Sequence, residues 1–132
     1  MRPWIGLAIV IATVASCRAV SVGEVDTTST CPVTDALAPF AFRVSVRDSS
    51  TSEWLSAMVR VNDGAFSATL IPGPSARGGN PDGYYGVQDR PGTYTVTVTS
   101  AGYREWQRTG VVVKRGTGCH VEPVALPALL QP

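Results

Sequence analysis

The chain has 132 residues, 44% of them hydrophobic, with eleven basic side chains against ten acidic ones. That length allows one domain and no more. A formal net charge of +1, with no basic run longer than Lys114-Arg115, gives no electrostatic reason to expect nucleic acid or anionic lipid as a partner.

Residues Trp4 to Ala15 are apolar apart from Gly6 and Thr13, and they follow the single positive charge of Arg2. One cation, a short apolar stretch and small residues at its end are the pattern of a secretory signal peptide. The stretch falls short of the about 20 residues that a spanning helix needs, and no downstream helix is predicted that would bury it as a core element. Val14-Ala15-Ser16-Cys17 resembles the lipobox of bacterial lipoproteins, an aliphatic residue and two small ones before the modified cysteine. The resemblance implies removal of residues 1–16, a diacylglycerol and an N-acyl chain such as palmitate on Cys17, and a membrane anchor. Two or more chains hold stably because each buried methylene contributes about 0.8 kcal/mol. The alternative is ordinary secretory cleavage after Ala19 and a soluble product. Arg18 in place of Asp after the cysteine implies, by the same likeness, sorting to an outer membrane in cells that have one. Cleavage removes Arg2 alone among the charged residues, so the remaining charges balance.

Residues 17–30 are small and polar, ending Asp26-Thr27-Thr28-Ser29-Thr30, which predicts a short flexible tether. The domain is expected over residues 31–132. With Cys17 lipidated, Cys31 and Cys119 remain as an even pair in an oxidising compartment. A disulfide between them would span nearly the whole domain and stabilise it by roughly 4–5 kcal/mol in the chain-entropy model.

From Cys31 onward the dominant period is two, which predicts strands. Phe40, Phe42, Val44 and Val46 alternate with Ala41, Arg43, Ser45 and Arg47. After the polar loop Asp48 to Glu53, the residues Leu55, Ala57, Val59 and Val61 alternate with Trp54, Ser56, Met58 and Arg60. Asn62-Asp63-Gly64 supplies the turn chemistry of a tight hairpin, with Phe66, Ala68 and Leu70 on the return strand. Residues 71–92 are rich in proline and glycine, so they are expected to be mostly loop, with Tyr84 to Gln88 as a short edge strand. Thr93 to Ser100 is a strand with Tyr94, Val96 and Val98 inward. Ala101-Gly102-Tyr103 turns the chain, Val111 to Val113 is a strand, and Val121 to Leu130 is the last. Pro123 and Pro127 predict that this last strand lies at an edge. No 3.6-residue period follows residue 17. The fold class is all-β, a sandwich or barrel of short strands.

Several of these segments together resemble the carboxypeptidase regulatory-like domain. They are Asp48 and its polar loop, Val59 with Asp63-Gly64-Ala65-Phe66, Pro91-Gly92-Thr93-Tyr94-Thr95-Val96-Thr97-Val98, Gly102-Tyr103, and Val111-Val112-Val113. The likeness covers about residues 38–130, and its most specific piece is the Pro-Gly-Thr-Tyr strand followed by Gly-Tyr. It implies a single seven-stranded, Greek-key-like β-sandwich of transthyretin type, common in secreted and envelope proteins. Gly118-Cys119-His120-Val121 is also similar to small bacterial lipoproteins bearing this domain. These motifs are structural rather than catalytic, and fold alone does not carry function.

His120 is the only histidine, which leaves a Ser-His-Asp triad without a Gly-x-Ser-x-Gly elbow and a zinc site without Cys-x-x-Cys spacing. The ureide-hydrolysing enzymes of the transthyretin-like fold use several histidines and a C-terminal tetrapeptide, both missing from this sequence. Asn80, Asp82 and Asp89 could ligate calcium, but their spacing is not that of an EF-hand loop, and Asn80-Pro81-Asp82-Gly83 reads as a turn. The candidate binding residues are aromatic: Tyr84 and Tyr85 on the long loop, Tyr103 and Trp106 on another. Exposed aromatics recognise sugars and peptides by apolar contact with a polar tip; the competing account is that Trp106 and one tyrosine cover the ends of the core. The segment Ile71 to Arg90 is the expected functional loop. The sequence therefore predicts a non-enzymatic, envelope-tethered accessory module with no cofactor or metal, binding an envelope protein or glycan. A carbohydrate-binding module is the alternative. Metabolic labelling with a palmitate analogue should mark the wild type and leave Cys17→Ser unmarked; an unlabelled wild type would contradict lipidation.

Overall fold

A computed structural model describes residues 39–76, 78–116 and 120–132. Cys17, Cys31 and Cys119 lie outside the described residues, so the expected anchor, tether and disulfide do as well. The described residues contain no helix and eight strands: β1 (Phe40–Asp48), β2 (Met58–Asp63), β3 (Phe66–Thr69), β4 (Ile71–Pro72), β5 (Tyr84–Gln88), β6 (Gly92–Thr99), β7 (Trp106–Val113) and β8 (Val124–Leu130). They form two four-stranded sheets, ordered β4-β5-β1-β8 and β3-β2-β6-β7.

Both sheets face one core. The inward residues of β1, Phe42, Val44 and Val46, are fully buried, as are Val59, Val61, Val96 and Val98 of the other sheet. Phe42 meets Tyr94 across the layers edge-on, with ring centroids 5.0 Å apart, the arrangement in which a positive ring edge meets a negative face. Each such side chain gains about 1.5–3 kcal/mol on burial. The period-two reading of β1 and β6 holds because these strands keep one face dry, whereas the alternation read from Trp54 onward forms a strand only from Met58.

The chain changes sheets at several corners. Leu70 lies between β3 and β4, is buried, and its N–H donates to the Val59 carbonyl at 2.8 Å. The β2–β3 hairpin closes on Gly64-Ala65, with Asp63 opposite Phe66 and Gly64 at φ 56°. Beside it, Arg90 Nη1 donates to Asp63 Oδ2 at 2.8 Å and to Tyr94 Oη at 2.9 Å, and its guanidinium lies 4.1 Å over Phe66. A Cβ on Gly92 would collide with the Asp63 carboxylate, so that position needs glycine. The Asp-Gly-Ala-Phe and Pro-Gly-Thr-Tyr motifs are therefore two sides of one contact.

Three expectations are corrected. There are eight strands rather than seven, because Ile71 and Pro72 pair with Tyr85 and Tyr84. Proline is tolerated there because β4 is an edge. The segment 71–90 is not an open loop: Gly73 N–H to Gly83 at 2.8 Å, Asp82 N–H to Pro74 at 2.9 Å and Ala76 N–H to Asn80 at 2.7 Å continue it as a hairpin. β7 begins at Trp106, not Val111, and its period was hidden by a register shift opposite Tyr94 and Val96 and by Gly110 at φ 67°. The last strand does lie at an edge, parallel to β1. Phe42→Ala should cost about 3–5 kcal/mol in urea unfolding, while Val112→Ala at a half-exposed position should stay within about 0.5 kcal/mol. Equal losses would contradict the assignment of faces.

Candidate functional site

β1 ends on Asp48, which is charged yet only 8% exposed. Its carboxylate is satisfied by protein donors: the amides of Ser50 (2.6 Å) and Thr51 (2.9 Å) on Oδ1, and the Tyr103 hydroxyl (2.7 Å) on Oδ2. The Thr51 amide, then the Tyr103 hydroxyl, hold the Asp48 carboxyl below the ordinary carboxylate range. The same bond pushes the Tyr103 hydroxyl upward. The turn built on Asp48 is closed by its N–H to the Glu53 carbonyl at 2.9 Å, with Ser52 at φ 62°. It delivers Trp54 back beside β1, where Trp54 and Arg47 form an antiparallel bridge. The Arg47 guanidinium stacks 3.9 Å over the Trp54 ring.

Three further bonds fix this crossover. Asn80 Nδ2, from the tip of the 71–85 hairpin, donates to the Trp54 carbonyl at 2.8 Å. Tyr84 Oη accepts from the Ala57 N–H at 2.7 Å and donates to the Leu55 carbonyl at 3.4 Å. The hairpin expected to carry function thus holds Trp54 in position.

The parallel β1–β8 register sets Arg43 beside Ala125 and Ser45 beside Pro127. With Arg47 and Trp54 these residues line a shallow depression of about 250 Å³ on the outer face of the β1 sheet. Arg43 also rests over a ring, 5.9 Å from the centroid of Tyr85. Tyr85 is held by Phe40 at 6.3 Å and by Gly73, where a Cβ would strike the ring. Among the described residues neither Arg43 nor Arg47 has a carboxylate partner. The opposite outer face carries Thr93, Thr95, Thr97 and Thr99, with the exposed Arg60 of β2 paired beside Thr97.

The four aromatics singled out from the sequence do not come together. Tyr84 is 3% exposed and belongs to the core. Trp106 packs against the margin of the core beside Val98, and Tyr103 is committed to Asp48. Tyr85 alone faces outward, on the Arg43 side of the depression. Sequence reasoning missed Trp54 as a site residue, placing it only as the outward member of an alternating strand. Asn80, Asp82 and Asp89 diverge: Asn80 holds Trp54, Asp82 lies 3.5 Å from the Tyr85 hydroxyl, and Asp89 accepts from the Val121 N–H at 2.8 Å and lies 3.1 Å from His120 Nδ1. The described residues bring no three histidine, cysteine or acidic side chains together as a metal site. No protein-family model matches the chain, and no curated protein matches it.

Asp48 and Asp89 both have depressed carboxyl pKa values, Asp89 mainly through the Val121 amide. Their stabilising contribution is complete above the unfolded value of about 3.9 and is lost as pH falls through the lower folded values. Thermal melts from pH 6 downward should therefore lose stability below about pH 4. Asp48→Asn should be less stable at pH 6 and show a flatter acid limb. A limb of unchanged steepness would contradict the role given to the carboxylate.

Proposed function

We propose that this protein is a non-enzymatic, lipid-anchored module of the cell envelope that binds a partner through the outer face of its β1 sheet. The observation that carries the reading is the Arg47–Trp54 stack at 3.9 Å beside the depression lined by Arg43, Ser45 and Pro127. A tryptophan and arginines kept at a surface, with no carboxylate partner for the arginines among the described residues, are the residue types that dominate binding hot spots. The alternation of the strands and the contact between the Asp63–Phe66 and Arg90–Tyr94 segments support the finer fold reading, a Greek-key-like β-sandwich of the carboxypeptidase regulatory-like, transthyretin-like class. On that reading β4 is a short addition to the seven strands. The lipobox-like Val14–Cys17 segment supports export and anchoring, which leaves a rigid two-sheet body to present one face to neighbours.

A photo-crosslinking residue placed at Ala125, which is exposed in β8, tests the surface in living cells, with Thr93 on the opposite face as control. A discrete adduct from position 125, missing from position 93 and lost with Trp54→Ala, is the expected outcome. Identical adducts from both positions, or none from position 125, would overturn the surface.

A further inference from the structure

We propose that the ligand of this face is an extended peptide segment bearing carboxylates four residues apart, engaged by Arg43 and Arg47. The proposal rests on the binding surface argued above and names its chemistry.

The two arginines are positions i and i+4 of one strand, so their Cα atoms are separated by about 13 Å on the same face. An extended partner with acidic side chains at the same interval matches that spacing residue for residue. Each guanidinium lies over an aromatic ring, Arg47 over Trp54 and Arg43 over Tyr85. Stacking leaves the edge N–H groups of a guanidinium outward, where they pair with carboxylate oxygens in a planar fork. A stacked arginine has already lost much of its rotamer freedom, so binding orders less. Among the described residues no carboxylate pairs with either arginine. Of the other two arginines that lie over rings, Arg90, over Phe66, is paired with Asp63 at 2.8 Å, and Arg108 lies 5.7 Å from the Trp106 centroid on β7 of the other sheet. Arg90 holds the fold, whereas Arg43 and Arg47 are stacked arginines that share one strand and line one depression.

The floor between the arginines suits a peptide. Ser45 donates its hydroxyl to the Leu126 carbonyl at 3.5 Å, and Ala125 and Pro127 offer a low apolar surface on which the side chain midway between the two acids can rest. A sugar would use the open ring faces, and here one face of Trp54 already carries the Arg47 guanidinium at 3.9 Å. Acidic peptide is therefore favoured over glycan. The attraction is a surface one, so it should weaken with salt as the Debye length shortens from about 10 Å at 0.1 M to about 3 Å at 1 M.

The test uses fluorescence anisotropy with the full chain purified from the envelope in neutral detergent. The probes are an end-blocked, labelled Glu-Thr-Val-Thr-Glu peptide, its Gln-Thr-Val-Thr-Gln counterpart and a uronic acid hexasaccharide. Circular dichroism checks that each variant is folded. The expected result is saturable binding of the acidic peptide only. It should weaken about tenfold or more for Arg43→Gln with Arg47→Gln, equivalent to about 1.4 kcal/mol, and it should fade at high salt. Arg60→Gln, on the exposed side of the other sheet, should leave it unchanged. Equal binding of the two peptides, preference for the uronic acid, or no effect of the double variant would overturn the proposal. An adduct at position 125 in cells with no acidic-peptide binding would reject this ligand while leaving the surface standing; loss of both would reject the surface too.

Discussion

The parallel pairing of β1 with β8 is the constraint on which the rest of this molecule depends. It joins the first and last strands of the described domain over seven residue pairs, from Phe42 with Val124 to Asp48 with Leu130. Parallel strands need a long connection, and here almost the whole domain lies between the two. The pairing puts β1 inside its sheet, buries Leu126, Ala128 and Leu130 against the core, and turns Ala125, Pro127 and Leu129 outward. The end of β8 is then tied down twice, by the Ser49 N–H to the Leu130 carbonyl at 2.9 Å and the Arg104 N–H to the Gln131 carbonyl at 2.7 Å.

That closure also decides where the chain can afford exposed charge and aromatic surface. Because β8 walls one side of Arg43, Ser45 and Arg47, the returning loop has to settle Trp54 at the end of the strand. Three interactions keep it there, one local and two from the distant hairpin: the Asp48 turn, the Asn80 amide and the Tyr84 hydroxyl. Each satisfies a backbone or carboxylate group that would otherwise lose water without compensation. The candidate site is consequently built on a rigid strand and a pinned crossover rather than on a mobile loop.

How much of this is legible in the sequence follows from what each residue's neighbours do. β1 and β6 are readable because alternating burial leaves a period-two trace in which Phe42, Val44, Tyr94 and Val96 share one side. β7 is not, because it is an edge strand whose outward positions run together around Gly110 and the register shift. The 71–85 hairpin is hidden by its own glycines: Gly73 is there to make room for the Tyr85 ring, a tertiary reason invisible to local propensity. Adjacent tyrosines at 84 and 85 are ambiguous by nature, since one must point in and the other out, and only the pairing with Val44 and Arg43 settles which. Trp54 is missed because its stacking partner precedes it by seven residues across a turn whose organiser is a buried aspartate. A polar run beginning with Asp reads simply as solvated loop.

The most direct measurement of the central claim is the strand direction and register of β8 in solution. Nuclear Overhauser contacts across β1 and β8 should run in step, Arg43 with Ala125, Ser45 with Pro127 and Arg47 with Leu129. Contacts that run in opposite order, or β8 amides that exchange with solvent as fast as an unfolded chain, would contradict the account. The outer face would then lose the wall on which the site is built.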